Sequence, residues 1–349
     1  MLLPDFDLVV PTPTGSPLTL EPTDLLTSSA LPAVVHATSG TSLATVAAEH
    51  GAELDNVLAE RGAVLFRGFG VDHPQAMADA AEAFCDTLFD KNGEHDHDPV
   101  ARNVYTPVAY SNTATLMWHN ETTFNERWPR KVLFGCGLPA ETGGQTPLVD
   151  GRKVFAELDP QLRDKFVRHG VAYLRAYGTG VGLHWSKVFR TEDRNEVERR
   201  CVADGFEVEW LIGGGLRTRC VRPAAVVHPV TGESCWVTQF QHWHPACLDP
   251  ETRESMLMMF DEEQLPRNAT FGDGTRISVE EVAHVLEVYG RHEVVFDWEQ
   301  GDLLVVDNLV AAHGRKPFTG PRNLLVSLGD MSGFDDVAAV VAPDQMASQ

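Results

Sequence analysis

The segment Trp118-His119-Asn120-Glu121-Thr122-Thr123-Phe124 constrains this chain more than any other. On a β-strand, residues two apart leave the same face of the sheet. A strand here would therefore aim the His119 imidazole and the Glu121 carboxylate at a common point. Those groups form two-thirds of a 2-His-1-carboxylate site, an arrangement that suits non-haem Fe(II) and leaves coordination positions open. Alone, the pattern is a weak signal, and an exposed strand with an incidental His and Glu is the commoner explanation. A second histidine on a distant strand would decide between them.

Taken in order, residues 1–32 read as an irregular arm with a short strand at Leu8-Val9-Val10. The apolar spacing from Ser42 to Ala59 predicts a helix, and Ala63-Val64-Leu65-Phe66 a buried strand. Pro74 suits the first turn of a second helix, with Met77, Ala80, Ala81, Phe84 and Leu88 as its inner face. Asp150 to Phe166 is helical in pattern, but Pro160 interrupts it, so two short helices are expected. Residues 226–237 resemble a hairpin and Val279 to Tyr289 a helix. Two other His-x-His pairs compete as metal sites. His95 and His97 lie among loop-forming Gly, Asn and Pro, whereas His242 and His244 sit beside Trp243 and Pro245, where packing is the commoner fate.

The third feature is Leu303-Leu304-Val305-Val306, an apolar strand, followed by His313 at the start of the next extended segment. Arg322 stands beyond Gly320-Pro321, entering the strand Asn323 to Leu328. A guanidinium at the mouth of a buried strand is costly unless an anion meets it, and a bidentate carboxylate would do so. His313 could otherwise be a turn residue and Arg322 half of a structural ion pair. Both occurring together beside a His-x-Glu strand favour the functional reading.

With 50 acidic against 28 basic side chains, the chain carries a formal charge of −22, the wrong sign for a nucleic-acid partner. No apolar run has the length of a membrane span and the start lacks a secretory pattern, so a cytoplasmic location is expected. The six scattered cysteines read as reduced, mostly buried thiols. Nothing resembles an interdomain linker. One catalytic domain is expected over 1–349: an arm and flanking helices at 1–90, two halves carrying the site at 100–170 and 290–335, and an insertion or lid at 171–290.

Four groups of residues, in this order, resemble the TauD/TfdA-like family of Fe(II)/2-oxoglutarate-dependent dioxygenases. They are His119-Asn120-Glu121, Gly143-Gly144-Gln145-Thr146-Pro147, Gly301-Asp302 through Asp307-Asn308, and His313-Gly314-Arg315 with Gly320-Pro321-Arg322. His-x-Glu in place of His-x-Asp is similar to the SyrP-like and clavaminate-synthase-like members. The resemblance implies a mainly β or α+β fold, a double-stranded β-helix (jelly roll, cupin-like) with flanking helices. It implies His119, Glu121 and His313 as iron ligands, with Thr146 and Arg322 holding 2-oxoglutarate. O₂ would be the oxidant, ascorbate an activator, and succinate and CO₂ the co-products.

With Glu121 present, hydroxylation is the expected outcome, because halogenating relatives replace the carboxylate. Desaturation or epoxidation at the same site is not legible in sequence. No cation occurs in Asn323 to Leu328, where taurine-type members carry a second arginine, so a sulfonate substrate is disfavoured. The relatives suggest an amino acid or a derivative in natural-product biosynthesis, free or tethered to a peptidyl carrier protein. Phe124 could wall the substrate pocket, and Arg217, after the glycines at 213–215, could meet a substrate carboxylate. A Zn(II) cupin-like hydrolase or isomerase would share the triad but would not need Thr146 and Arg322. A catalytically dead barrel would be expected to have lost a triad member.

Overall fold

Ala63–Arg67 and Leu303–Asp307 are apolar at every position but their last, because both strands are covered on both faces. In the computed structural model, which describes residues 8–11, 17–22, 31–37, 41–89, 100–107 and 110–342, they lie side by side in the largest sheet. The chain enters through strands β1 (Leu8–Pro11), β2 (Pro17–Pro22) and β3 (Ala33–His36). Helix α1 (Leu43–Arg61) follows, capped by the Ser42 side chain and ended by Gly62 in the left-handed region. Next come β4 (Ala63–Arg67) and α2 (Pro74–Phe84). The site region supplies β5 (Leu116–His119), β6 (Arg127–Leu138), β7 (Thr142–Gly143) and β8 (Leu148–Asp150).

Helices α3 (Gly151–Glu157) and α4 (Pro160–His169) are the two expected at Pro160. The middle of the chain holds β9 (Val171–Tyr177), α5 (Trp185–Phe189), α6 (Arg194–Ala203), β10 (Glu207–Trp210), β11 (Leu216–Arg222), β12 (Ala225–Val227), β13 (Ser234–Trp236), α7 (Pro250–Met259) and β14 (Arg267–Phe271). Helix α8 (Val279–Arg291) opens with a Ser278/Glu281 capping box. Strands β15 (Leu303–Asp307), β16 (Ala311–Arg315), β17 (Phe318–Thr319) and β18 (Asn323–Gly333) complete the described elements.

The seven-stranded sheet runs β1-β2-β3-β4-β15-β6-β18, and a three-stranded sheet runs β5-β16-β8. Val64, Phe66, Leu303 and Val305 face α1 and α2, packing on Leu54, Leu58, Met77 and Ala81. Their neighbours Ala63, Leu65, Leu304 and Val306 face the other way, onto Leu148 of β8 and Ala311 of β16. The core therefore lies between the two sheets, and each buried Val or Leu there contributes roughly 1.5–3 kcal/mol by leaving water. A four-stranded sheet, β10-β11-β9-β14, belongs to the middle segment. Its Tyr173 and Phe271 pack with Val149 and Ala312 from the outer face of the three-stranded sheet.

The fold is thus mixed α and β with a predominance of strands. The described strands form open sheets, with no closed barrel among them. The hairpin expected at 226–237 is β12 and β13. The second helix stops at Phe84, where Cys85 turns extended, so Leu88 is not on its inner face. Leu88 instead bridges Gly329. All six cysteines are free and five are buried. No described helix is long and apolar enough to cross a membrane.

Candidate metal and co-substrate site

Strand β5 pairs with β16 so that His119 stands opposite His313. A glycine is required for this approach: a Cβ at Gly314 would lie 2.6 Å from the Leu116 carbonyl oxygen. The strand ends at His119, so Glu121 does not project from it. Instead the chain turns, with Thr122 at φ 55°, and the turn swings the carboxylate back to the imidazoles. Glu121 Oε2 lies 3.8 Å from His119 Nε2 and 3.9 Å from His313 Nε2. One ligand atom from each residue falls within 4.8 Å of the others, the one such cluster among the described residues.

Asn308 holds this turn from the end of β15. Its Oδ1 accepts from the Glu121 backbone N–H at 2.6 Å. Its amide donates to the Glu121 carbonyl at 3.0 Å and to the Pro129 carbonyl at 2.8 Å. Asn120, fully buried, donates to the Asn308 carbonyl at 2.7 Å. The reciprocal pair of asparagines substitutes for the strand pairing that Glu121 lacks.

The protonation states suit a divalent cation. His119 Nδ1 donates to the Met117 carbonyl at 2.9 Å, so Nε2 is the ring nitrogen that faces Glu121. Burial, helped by the neighbouring His119, pushes the His313 imidazole down to about 4, so it is neutral near pH 7. Burial alone would raise the Glu121 carboxyl, but the two imidazoles outweigh it and hold it below the usual carboxylate range. Two imidazole nitrogens and one carboxylate are the donor set such a metal requires. His313 lies against the Phe134 ring at 5.1 Å, and its buried Nδ1 has no hydrogen-bond partner.

The triad opens into a cavity of about 440 Å³ that also receives Phe124, Arg322 and His242. The Arg322 Nε donates to the Gly144 carbonyl at 3.1 Å and the guanidinium lies 5.4 Å from the Phe318 ring centroid. No described carboxylate pairs with it. Burial and the nearby Arg315 push it down to about 10, the signature of a cation lacking an anion. Thr146, two residues after Gly144, is buried and is not among the described residues lining the cavity; its Oγ1 accepts from Trp298 Nε1 at 3.1 Å. A second cavity of about 470 Å³ shares Thr122 and Leu328 with the first but contains no metal-donor cluster among the described residues.

Phe124 packs on Trp243 at 5.0 Å as part of the cavity wall. Arg217 is elsewhere: it lies on β11 and not on a glycine loop, and it pairs with Glu209 at 2.7 Å. His242 and His244 do not form a metal pair. The His242 Nε2 donates to the Met117 carbonyl and the His244 Nε2 to the Ile277 carbonyl, each at 3.0 Å. Burial and the adjacent His119 push His242 down to about 3, so it stands neutral beside the triad. The His95 and His97 pair lies outside the described residues. Sequence reasoning missed the role of Asn308 and, on the cavity wall, Arg175, Arg267 and Arg315. An Asp-Asn pair closing an apolar strand was the one available signal for Asn308.

A profile of the family described as "Taurine catabolism dioxygenase TauD, TfdA family" matches residues 27–328. The chain is 34% identical over 268 residues to the dapdiamide synthesis protein DdaC of Enterobacter agglomerans, covering 76% of this chain and 82% of that one. It is 31% identical over 286 residues to a clavaminate synthase-like protein of Arabidopsis thaliana, covering 76% and 80%. A crystal structure of AAD-2 in complex with Mn(II) and N-oxalylglycine superposes with a TM-score of 0.50 at 12% identity, over 89% of this chain and 94% of that one. At that identity the likeness shows the fold alone.

These matches identify a dioxygenase that depends on Fe(II) and 2-oxoglutarate and consumes O₂. The chain belongs to the TauD/TfdA family.

Proposed function

We propose that the chain hydroxylates an unactivated C–H bond of a small molecule, an amino acid or amino-acid derivative, in a biosynthetic pathway. The observation that carries this reading is one cavity holding both the His119/Glu121/His313 donor cluster and the unpaired Arg322. The chemistry a metal supplies there is activation of O₂ for substrate oxidation, coupled to conversion of 2-oxoglutarate into succinate and CO₂. His119, Glu121 and His313 would hold the metal on one side, leaving the side toward the cavity for co-substrate and oxidant. The Met117 carbonyl keeps His119 in the required tautomer, and Asn308 keeps Glu121 in place.

Arg322 would receive the far carboxylate of 2-oxoglutarate as a charge-assisted pair. The Thr146 hydroxyl, which already accepts from Trp298, has its proton left to donate to the same carboxylate. Phe124 and Trp243 would exclude water from one wall. Hydroxylation is preferred over halogenation because the carboxylate ligand is present, and desaturation or epoxidation would need only a differently placed substrate carbon. The DdaC and clavaminate synthase-like relatives support a biosynthetic setting, with a free or carrier-tethered substrate in a cytoplasmic enzyme. The seven- and three-stranded sheets would be the two halves of a double-stranded β-helix within one domain, with 171–290 as its lid-bearing insertion.

The test is succinate release from 2-oxoglutarate with Fe(II) and air, read across free and carrier-tethered amino acids with mass spectrometry of each. His119→Ala or His313→Ala should abolish iron-dependent turnover. Retained turnover in either would remove the triad from the mechanism.

A further inference from the structure

The cavity beside the triad has Phe124 and Trp243 on one wall and receives a single carboxamide among the described residues, that of Gln239. Gln239 is 5% exposed, and polar groups that deep are ordinarily paired. Its backbone N–H donates to the Tyr173 hydroxyl at 3.1 Å. Its side chain is paired at one end, where Nε2 donates to Thr123 Oγ1 at 3.4 Å.

The neighbouring hydroxyl settles which end that is. Thr123 Oγ1 spends its one proton on the Val237 carbonyl at 2.7 Å, shared with the Asn120 carbonyl at 3.3 Å. Towards Gln239 it can therefore only accept, so nitrogen is the end of the carboxamide that meets it. Oε1 is left with no hydrogen-bond partner among the described residues, yet it is not shut in the interior. On a residue that lines the cavity, such an acceptor is open to whatever the cavity holds. Thr123 also follows Glu121 by two residues, so a group bound to Gln239 is positioned against the same turn that carries the metal carboxylate.

The surroundings select the donor. Other than Glu121, a metal ligand in the reading above, no described carboxylate lines the cavity. A substrate ammonium held there would be buried without a counterion. An uncharged N–H needs one acceptor and no counterion.

We infer that Gln239 is a specificity-determining residue whose Oε1 accepts a hydrogen bond from an amide N–H of the primary substrate, with the apolar part of the substrate along Phe124 and Trp243. The substrate is an amide, such as an acylated amino acid, and not a free amino acid. This rests on the oxygenase reading for the identity of the reacting centre and narrows its substrate class.

The test uses the full-length protein loaded with Mn(II) and N-oxalylglycine, so that no turnover occurs. Calorimetry and thermal shift read binding of N-acetyl-L-amino acids, each against the 2-acetoxy acid in which oxygen replaces the N–H. Short aliphatic and aromatic primary amides are read against their methyl esters. In at least one pair the N–H member should bind roughly tenfold or more tighter than its partner. The variant Q239L, similar in size but without the acceptor, should bring that ratio close to one by weakening the N–H member, with Mn(II) and N-oxalylglycine affinities unchanged. The variant Q239E keeps an acceptor and adds a counterion, so it should shift preference towards the free amino acid. Equal binding within every pair overturns the assignment, as does a ratio undiminished in Q239L. So does a panel in which no compound binds saturably, or a Q239L protein that loses N-oxalylglycine affinity as well. If N-oxalylglycine fails to bind the Mn(II)-loaded wild type, the oxygenase reading fails instead, and Gln239 is still judged by the paired comparison.

Discussion

Replacing Arg322 with methionine should make the ligand-free protein more stable while removing its hold on the co-substrate. Burial and the neighbouring Arg315 take the guanidinium from its ordinary 12.5 to about 10. At about 1.4 kcal/mol per pH unit, keeping that charge in the folded state costs roughly 3 kcal/mol. Partial exposure and solvent screening reduce this to about 2 kcal/mol. Because the folded value is lowered yet stays far above neutrality, the penalty is present throughout the ordinary pH range. Methionine keeps most of the aliphatic stem but loses the bond from Arg322 Nε to the Gly144 carbonyl, worth about 1 kcal/mol. The net expectation is a gain of about 1 kcal/mol. Urea denaturation at pH 7 without co-substrate measures it, and calorimetry with N-oxalylglycine should show affinity reduced by roughly 30- to 1000-fold. A variant less stable by more than about 1 kcal/mol would falsify the claim that this cation lacks a counterion. Unchanged N-oxalylglycine affinity would show that another arginine does the work.

Three other perturbations probe the supports of the site. Asn308→Ala removes all three bonds that the Asn308 side chain makes to Glu121 and Pro129. It should cost about 2–3 kcal/mol in urea denaturation and weaken Mn(II) binding by roughly 10- to 100-fold; an unaltered Mn(II) affinity would mean that Glu121 does not need this support. Gly144→Ala puts a Cβ 3.1 Å from Arg322 Cδ at a residue with φ +72°, so N-oxalylglycine affinity should fall while Mn(II) affinity holds, and strain should cost about 1 kcal/mol. Asp307 is held below its ordinary range, because His228 and Arg130 outweigh the opposing effect of burial. Its stabilisation is present above the unfolded carboxyl value, about 3.9, and is lost as pH falls through the lower folded value. Asp307→Asn should therefore cost about 1–3 kcal/mol at pH 7, with the difference from wild type shrinking below about pH 4. A gap that is constant with pH would assign the loss to packing.

The local elements were legible in the sequence because their causes are local. The apolar run Leu303 to Val306 could only be a strand covered on both faces, and Pro160 divided one helical pattern into two. His119, Glu121 and His313 were identifiable from residue type, spacing and order, and so was the odd position of Arg322. The helical stripe runs past the end of α2 at Phe84, because an apolar residue such as Leu88 continues a stripe as well as it makes a β-bridge to Gly329.

What the tertiary structure decided depends on partners far apart in the chain. Glu121 reaches the histidines from a turn, because Asn308, 187 residues away, supplies the hydrogen bonds that a strand would have supplied. Arg217 follows a run of glycines and looked free, yet hairpin register sets it beside Glu209. Arg175 and Arg267, 92 positions apart (267 − 175) and in no recognisable motif, become neighbours through the pairing of β9 with β14. A sequence pattern reports which face a side chain leaves. Which other side chains share that face is set by the pairing and packing of distant strands, and in this protein that pairing turns scattered cations into a cavity wall.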